Sequence, residues 1–284
     1  PQAKELVISS ASPGRLPSWP QSALSMACGK TGLLVAWADT KVDSVALALV
    51  SQKHEAKEIR SAGAEKFSVH RPKLASTKDG FFVAWVGRKT LSQGKQSGDY
   101  LWGQRIDKNG SLVGEAVELT KGASEVSVLS RGRSGFLVTW IGDIGNRAFR
   151  LQAIRVDLAG RPMDNEPMHL APVSHKFSQT AVAPLGQGLL VIYQGAEGLR
   201  AHTQSDLEDS SSRTALVLPT LGERTPTRPV LAKSGQSFVL SFELVNSKVK
   251  QTVDSAKDVA MLRMDDKLQP SPVTLLSLSP IGSQ

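Results

Sequence analysis

Five times along the chain an apolar run closes on a large aromatic residue. The runs are Gly32-Leu33-Leu34-Val35-Ala36-Trp37, Gly80-Phe81-Phe82-Val83-Ala84-Trp85, Gly135-Phe136-Leu137-Val138-Thr139-Trp140, Gly188-Leu189-Leu190-Val191-Ile192-Tyr193 and Ser237-Phe238-Val239-Leu240-Ser241-Phe242. The aromatics stand 48, 55, 53 and 49 residues apart. A unit of that length cannot bury a core alone, so successive copies must stack on one another. The expectation is one domain over residues 1–284, with units at approximately 20–62, 68–121, 124–172, 177–219 and 227–278.

Each unit reads as four short strands. In the second, residues 72–76 form a first strand and 81–85 a continuous apolar second strand of the kind buried on both faces. Residues 101–107 then alternate like a half-exposed strand, and 116–119 make a fourth. The third unit repeats this at 126–129, 136–140, 151–157 and 168–171, and the fifth at 230–232, 238–242, 259–265 and 273–276. No 3.6-residue apolar stripe lasts three turns. The pattern predicts an all-β protein, a β-propeller of five four-stranded antiparallel blades. Residues 5–9 read as one outer strand too many, which predicts either a ring stapled by that N-terminal strand or an arc of a larger ring.

The second and third units share a second signal, Arg105-Ile106-Asp107-Lys108-Asn109-Gly110 and Arg155-Val156-Asp157-Leu158-Ala159-Gly160. Together with the Gly-[Phe/Leu]-Leu-Val-x-Trp runs, this resembles the repeats of propellers common among exported bacterial proteins. The resemblance implies the fold and an extracytoplasmic location, and no chemistry. The chain begins at Pro1 without a methionine, which fits a chain whose export signal has been removed. In the turns, Asp107 and Asp157 are expected to accept hydrogen bonds from turn amides.

Several function classes are excluded. No stretch approaches 18 apolar residues, so no membrane-spanning helix is expected. The five histidines show no metal-ligand spacing, and no cofactor or metal is expected. Phosphate-binding glycine loops and a Gly-x-Ser-x-Gly elbow are missing. The net charge of +8 favours anionic partners. Nucleic acid is nonetheless an unexpected partner, because the few aromatics are spent in the repeat runs. Cys28 is the single cysteine and reads as a small buried residue in a strand.

Residues that recur in every unit are explained by packing, so function is sought where the units differ. The connections between second and third strands vary most. They carry Arg88, Lys89 and Lys95 in the second unit, Arg147 and Arg150 in the third, and Lys248 and Lys250 in the fifth. Among the first strands, Arg71, Lys73 and Arg228 make a cationic mouth in which Glu125 is the only acidic residue. The expectation is a non-catalytic binding or scaffold propeller, presenting this basic loop face to a protein partner or a multi-subunit envelope assembly. An anionic polymer or a lipid headgroup surface would also suit it. The alternative is a five-bladed glycoside hydrolase or lyase, which needs carboxylates at the first strands, with Asp39 and Glu243 approaching from a rim.

Overall fold

The computed structural model describes residues 24–39, 44–53, 55–60, 67–90, 96–146, 148–173, 178–186, 188–195, 198–204, 212–217, 224–246, 258–265, 267 and 269–277. Its strands form five four-stranded antiparallel sheets, each with strands in chain order, the blades of a five-bladed β-propeller. The all-β architecture read from the repeat is the one observed. Among the described residues the one helical element is a 3-10 turn, Gly132–Ser134, and no helix is long and apolar enough to cross a membrane. Residues 5–9, the extra N-terminal strand, lie outside the described residues.

Two compact units divide the chain, Pro1–Gly142 with Gln152–Met168 and Asp143–Leu151 with His169–Gln284. The first sheet comprises β1 (Ser25–Cys28), β2 (Gly32–Asp39), β3 (Ser44–Ser51) and β4 (Ala56–Arg60). The second comprises β5 (Phe67–Thr77), β6 (Gly80–Thr90), β7 (Gln96–Asp107) and β8 (Leu112–Lys121). The third is built from β9 (Ala123–Ser130), β10 (Phe136–Asp143), β11 (Phe149–Val156) and β12 (Met168–Val173). In the second unit lie β13 (Thr180–Leu185), β14 (Gly188–Gly195), β15 (Gly198–Gln204) and β16 (Ser212–Val217), followed by β17 (Arg224–Ser234), β18 (Ser237–Asn246), β19 (Asp258–Met264) and β20 (Thr274–Ser277).

The continuous apolar run of β6 follows from its position between two cores. Successive side chains of a strand point to opposite faces. Phe81, Val83 and Trp85 therefore pack with Leu34, Ala36 and Leu47 of the first sheet. Phe82, Ala84 and Val86 turn the other way, into a cluster with Val126, Phe136 and Trp140 of the third. The rings of Phe82 and Phe136 stack at 5.3 Å between centroids. In the second unit Phe238, Leu240 and Phe242 close a core with Leu190, Ile192 and Leu199. The recurring aromatics Trp85, Trp140 and Phe242 thus each fill the space against the preceding sheet, and such burial is worth about 2–3 kcal/mol apiece.

The Asp-x-x-Gly turns are built alike. The Asp107 carboxylate accepts from the amides of Asn109 and Ser111 at 2.8 and 2.7 Å, and Asp157 accepts from Ala159 and Arg161 at 2.9 and 2.8 Å. Gly110 and Gly160 stand at φ of 83° and 88°, where a side chain is disfavoured. Asp265 repeats the device without glycine, accepting from Lys267 and Gln269.

The arginines of the shared motif have diverged. Arg105 is buried and, among the described residues, donates to backbone carbonyls, Phe81 and Leu158 at 2.8 Å, with Ile106 and Asp79 as further acceptors. It so ties the second sheet to the turn of the third. Arg155 instead forms an ion pair with Asp164 at 2.6 Å. Cys28 is exposed at the end of β1, not buried as its strand position suggested, because the chain turns at Gly29 immediately after it.

Candidate active site

Three of the first strands break their ladder at the same place. Register shifts fall between His70 and Lys73 on β5, opposite Thr139 to Ile141 on β9, and between Thr227 and Val230 on β17. At each bulge one residue adopts a left-handed backbone: Arg71 at φ 48°, Glu125 at φ 48° and Arg228 at φ 51°. None is glycine, so each carries a cost of about 1–2 kcal/mol from the clash of its Cβ with the backbone. The same left-handed strain thus recurs at one register position of three first strands. A proline follows both arginines, and since Pro72 and Pro229 lack an amide proton, they are tolerated because the ladder is already interrupted.

In the first unit, β5 and β9 pack together and the Arg71 guanidinium forms an ion pair with the Glu125 carboxylate. Glu125 is the more enclosed of the two, its side chain 15% exposed against 41% for Arg71. Two residues along β5 stands Lys73, half-buried, opposite Ala84 of β6. Burial, and then the charge of Arg71, hold the Lys73 ammonium below the usual lysine pKa. Asp39 ends β2 two residues beyond Trp37, the repeat equivalent of Trp85 and Trp140. The arrangement supplies one partly enclosed carboxylate bonded to Arg71, with Lys73 two residues further along β5.

In the second unit, Arg228 turns within its own sheet, its guanidinium 3.1 Å from the Glu243 carboxylate on β18. Arg224 likewise pairs with Asp258 at the start of β19. Among the described residues no group of His, Cys, Asp and Glu could hold a metal ion.

A separate cavity of about 450 Å³ in the first unit lies at the other end of the first strands. It is lined by Cys28, Lys30, Ser76, Lys78, Ser130 and Arg133 among others, without a carboxylate. Lys30, Lys78 and Arg133 make it cationic, but it lacks the acid–base pair that bond cleavage requires.

Of the basic residues expected to form a loop face, only Arg88, Lys89 and Arg150 fall among the described residues. Residues 87–90 and 96–100, read from sequence as loop, prolong β6 and β7, and Arg88 is bonded to Asp99 at 2.7 Å across that hairpin. Lys89 lies in β6, and Arg150 is exposed on β11. Lys95, Arg147, Lys248 and Lys250 lie outside the described residues. Sequence reasoning placed Glu125 and Arg71 at the mouth but missed their pairing, the Arg228–Glu243 pair, the bulges, and Asp164. The available signal was a proline inside a strand-like segment, at Pro72 and at Pro229.

No protein-family model matches the chain, and no curated protein sequence matches it. Solved structures do. The α-L-arabinofuranosidase from Lactobacillus brevis is 12% identical with a TM-score of 0.53, over 84% of this chain and 89% of that one. A thermostable family-43 glycoside hydrolase is 8% identical with a TM-score of 0.54, over 91% and 95% of the two chains. The xylan β-1,4-xylosidase from Bacillus halodurans C-125 aligns at a TM-score of 0.48 and 9% identity over 92% of this chain, which spans 58% of that longer protein. At these identities the likeness establishes the fold. It also corrects the expectation of a non-catalytic scaffold presenting a basic face, because the structures sharing this architecture over most of both chains are glycoside hydrolases. The physical reason the expectation failed lies in Arg71, Arg88 and Arg228: each is bonded to a carboxylate of its own chain.

Proposed function

We propose that this protein is a glycoside hydrolase or lyase whose essential carboxylate is Glu125. The observation that carries the reading is the Arg71–Glu125 ion pair, held by two left-handed, non-glycine residues at bulges of adjacent first strands. The likeness in fold to glycoside hydrolases supports it.

In this reading Glu125 is the partly enclosed carboxylate facing the scissile bond, where an oxocarbenium-like transition state gains from a nearby negative charge. Arg71 fixes the rotamer of Glu125 and is a positioning residue. Asp39 is the second carboxyl group. An extracytoplasmic location belongs to the same proposal, supported by the resemblance to exported propeller repeats.

The test is a panel of neutral and acidic aryl glycosides and oligosaccharides, arabinofuranosides, xylopyranosides and uronides among them. Turnover is expected, and Glu125→Gln should lower kcat by at least 1,000-fold with KM changed only a few-fold. Full activity in Glu125→Gln would remove that residue from the chemistry, and silence across the panel would end the hydrolase reading.

A further inference from the structure

The charges at the Arg71–Glu125 pair do not balance. Arg71 and Glu125 neutralise each other, and Lys73 is left over. On β5 and β9 there is no second carboxylate, since Glu125 is the only Asp or Glu in either strand. Lys73 is half-buried and, among the described residues, no acceptor is bonded to its ammonium. Enclosing a cation without a partner is costly, and the nearby Arg71 guanidinium raises that cost. A ligand anion would remove it.

The strand register turns Lys73 toward the third sheet, whose first strand carries the candidate carboxylate. Its cross-strand partner Ala84 belongs to the core between the second and third sheets. Partners across an antiparallel ladder project to the same face. The Lys73 side chain therefore leaves β5 on the side of the third sheet, the side from which Glu125 approaches. Uncharged sugars are commonly held by exposed aromatic rings, but Trp85 and Trp140, the aromatics opposite the two bulges, are fully buried. Charge is what this surface has to offer.

We propose that Lys73 binds the anionic group of an acidic sugar, so that the substrate is an acidic glycan. This rests on the hydrolase or lyase reading for the location of the site. An ammonium is a point charge and takes a carboxylate or a sulfate equally well, so uronic acid and sulfated sugars are the two sources to separate.

Calorimetric titration of the full chain with four tetrasaccharides tests the proposal: tetragalacturonate, its methyl ester, a sulfated carrageenan tetrasaccharide and xylotetraose. One of the two anionic ligands should bind at least tenfold more tightly than the methyl ester and xylotetraose, and which one identifies the source. Lys73→Met should abolish that preference, Lys73→Arg should retain it, and the melting temperature of both variants should stay within a few degrees of the parent. Equal binding of charged and neutral ligands, or an undiminished preference in Lys73→Met, would overturn the proposal. Glu125-dependent turnover of neutral glycosides without an anionic preference would defeat this inference and leave the hydrolase reading standing. Lys73-dependent anion binding without turnover of any glycan would do the reverse.

Discussion

Single residues carry two separable kinds of work here. Arg105 is structural: a buried guanidinium answered by carbonyls of its own sheet and of the neighbouring turn. Burial pulls its pKa below the usual arginine range, with Asp79 and Asp107 opposing that shift. Removing it leaves several carbonyls without a donor, so Arg105→Ala should lower stability by about 2–4 kcal/mol. Arg105→Lys should recover only part of that loss, because one ammonium cannot reach the same set of acceptors; denaturant unfolding measures both. Asp157 acts through its charge. Burial works against its carboxylate, but the amides of Arg161 and Ala159 and the Arg161 guanidinium outweigh it and hold the pKa below the ordinary value of 3.8. The stability it adds is complete above that value and is lost as pH falls through the depressed one. Asp157→Asn should therefore flatten the loss of stability below pH 3.8, and an unchanged acid limb would rule the mechanism out. This role was legible in the sequence, because an Asp three residues before a Gly has a local purpose. The partner of Glu125 was not legible, since Arg71 lies 54 residues away.

At the level of the element, the bulged first strand is the device to explain. On β5 and β17 a proline follows the left-handed residue, and on β9 a valine does. Replacing Arg71 by Gly should relieve the backbone strain while deleting the ion pair. The expected result is stability nearly unchanged or raised, with kcat lowered at least tenfold; a loss of stability without a loss of kcat would make the pair structural. In β15, His202 is buried and its Nε2 has no hydrogen-bond partner among the described residues. Burial lowers its pKa from 6.5, so the unfolded chain binds the proton more readily. Stability in this region should fall as pH drops below 6.5, and His202→Leu should reduce that slope in urea titrations at pH 7 and pH 5. The strand pattern itself was open to reading from residues alone, since a run such as Phe81 to Trp85 can be apolar throughout only if both its faces are covered. The ends of the strands were not. Arg88 and Asp99 look like loop residues until their pairing shows that β6 and β7 continue through them.

Across the whole chain, the net charge of +8 sets the long-range field in which an acidic glycan would approach. Association with whichever anionic tetrasaccharide binds should slow markedly between about 20 and 200 mM salt, as the Debye length shrinks to roughly 10 Å or less. The Lys73 contribution is partly enclosed and should survive better than the field does, so the ratio of parent to Lys73→Met affinity should change little with salt. A ratio that collapses with the field would mean that Lys73 acts only as one more surface charge. The five repeated runs were enough to determine an all-β propeller with aromatics packed between sheets, because burial on both faces of a strand leaves a periodic trace that requires no knowledge of distant residues. Which charges remain free was decided by tertiary structure alone. Counting cations in sequence suggested a basic face, whereas folding brings Arg71 to Glu125, Arg88 to Asp99 and Arg228 to Glu243, and leaves Lys73 half-buried with no carboxylate bonded to it among the described residues. Ion pairing depends on separations of a few ångströms in space, and hydrophobic periodicity carries no record of them.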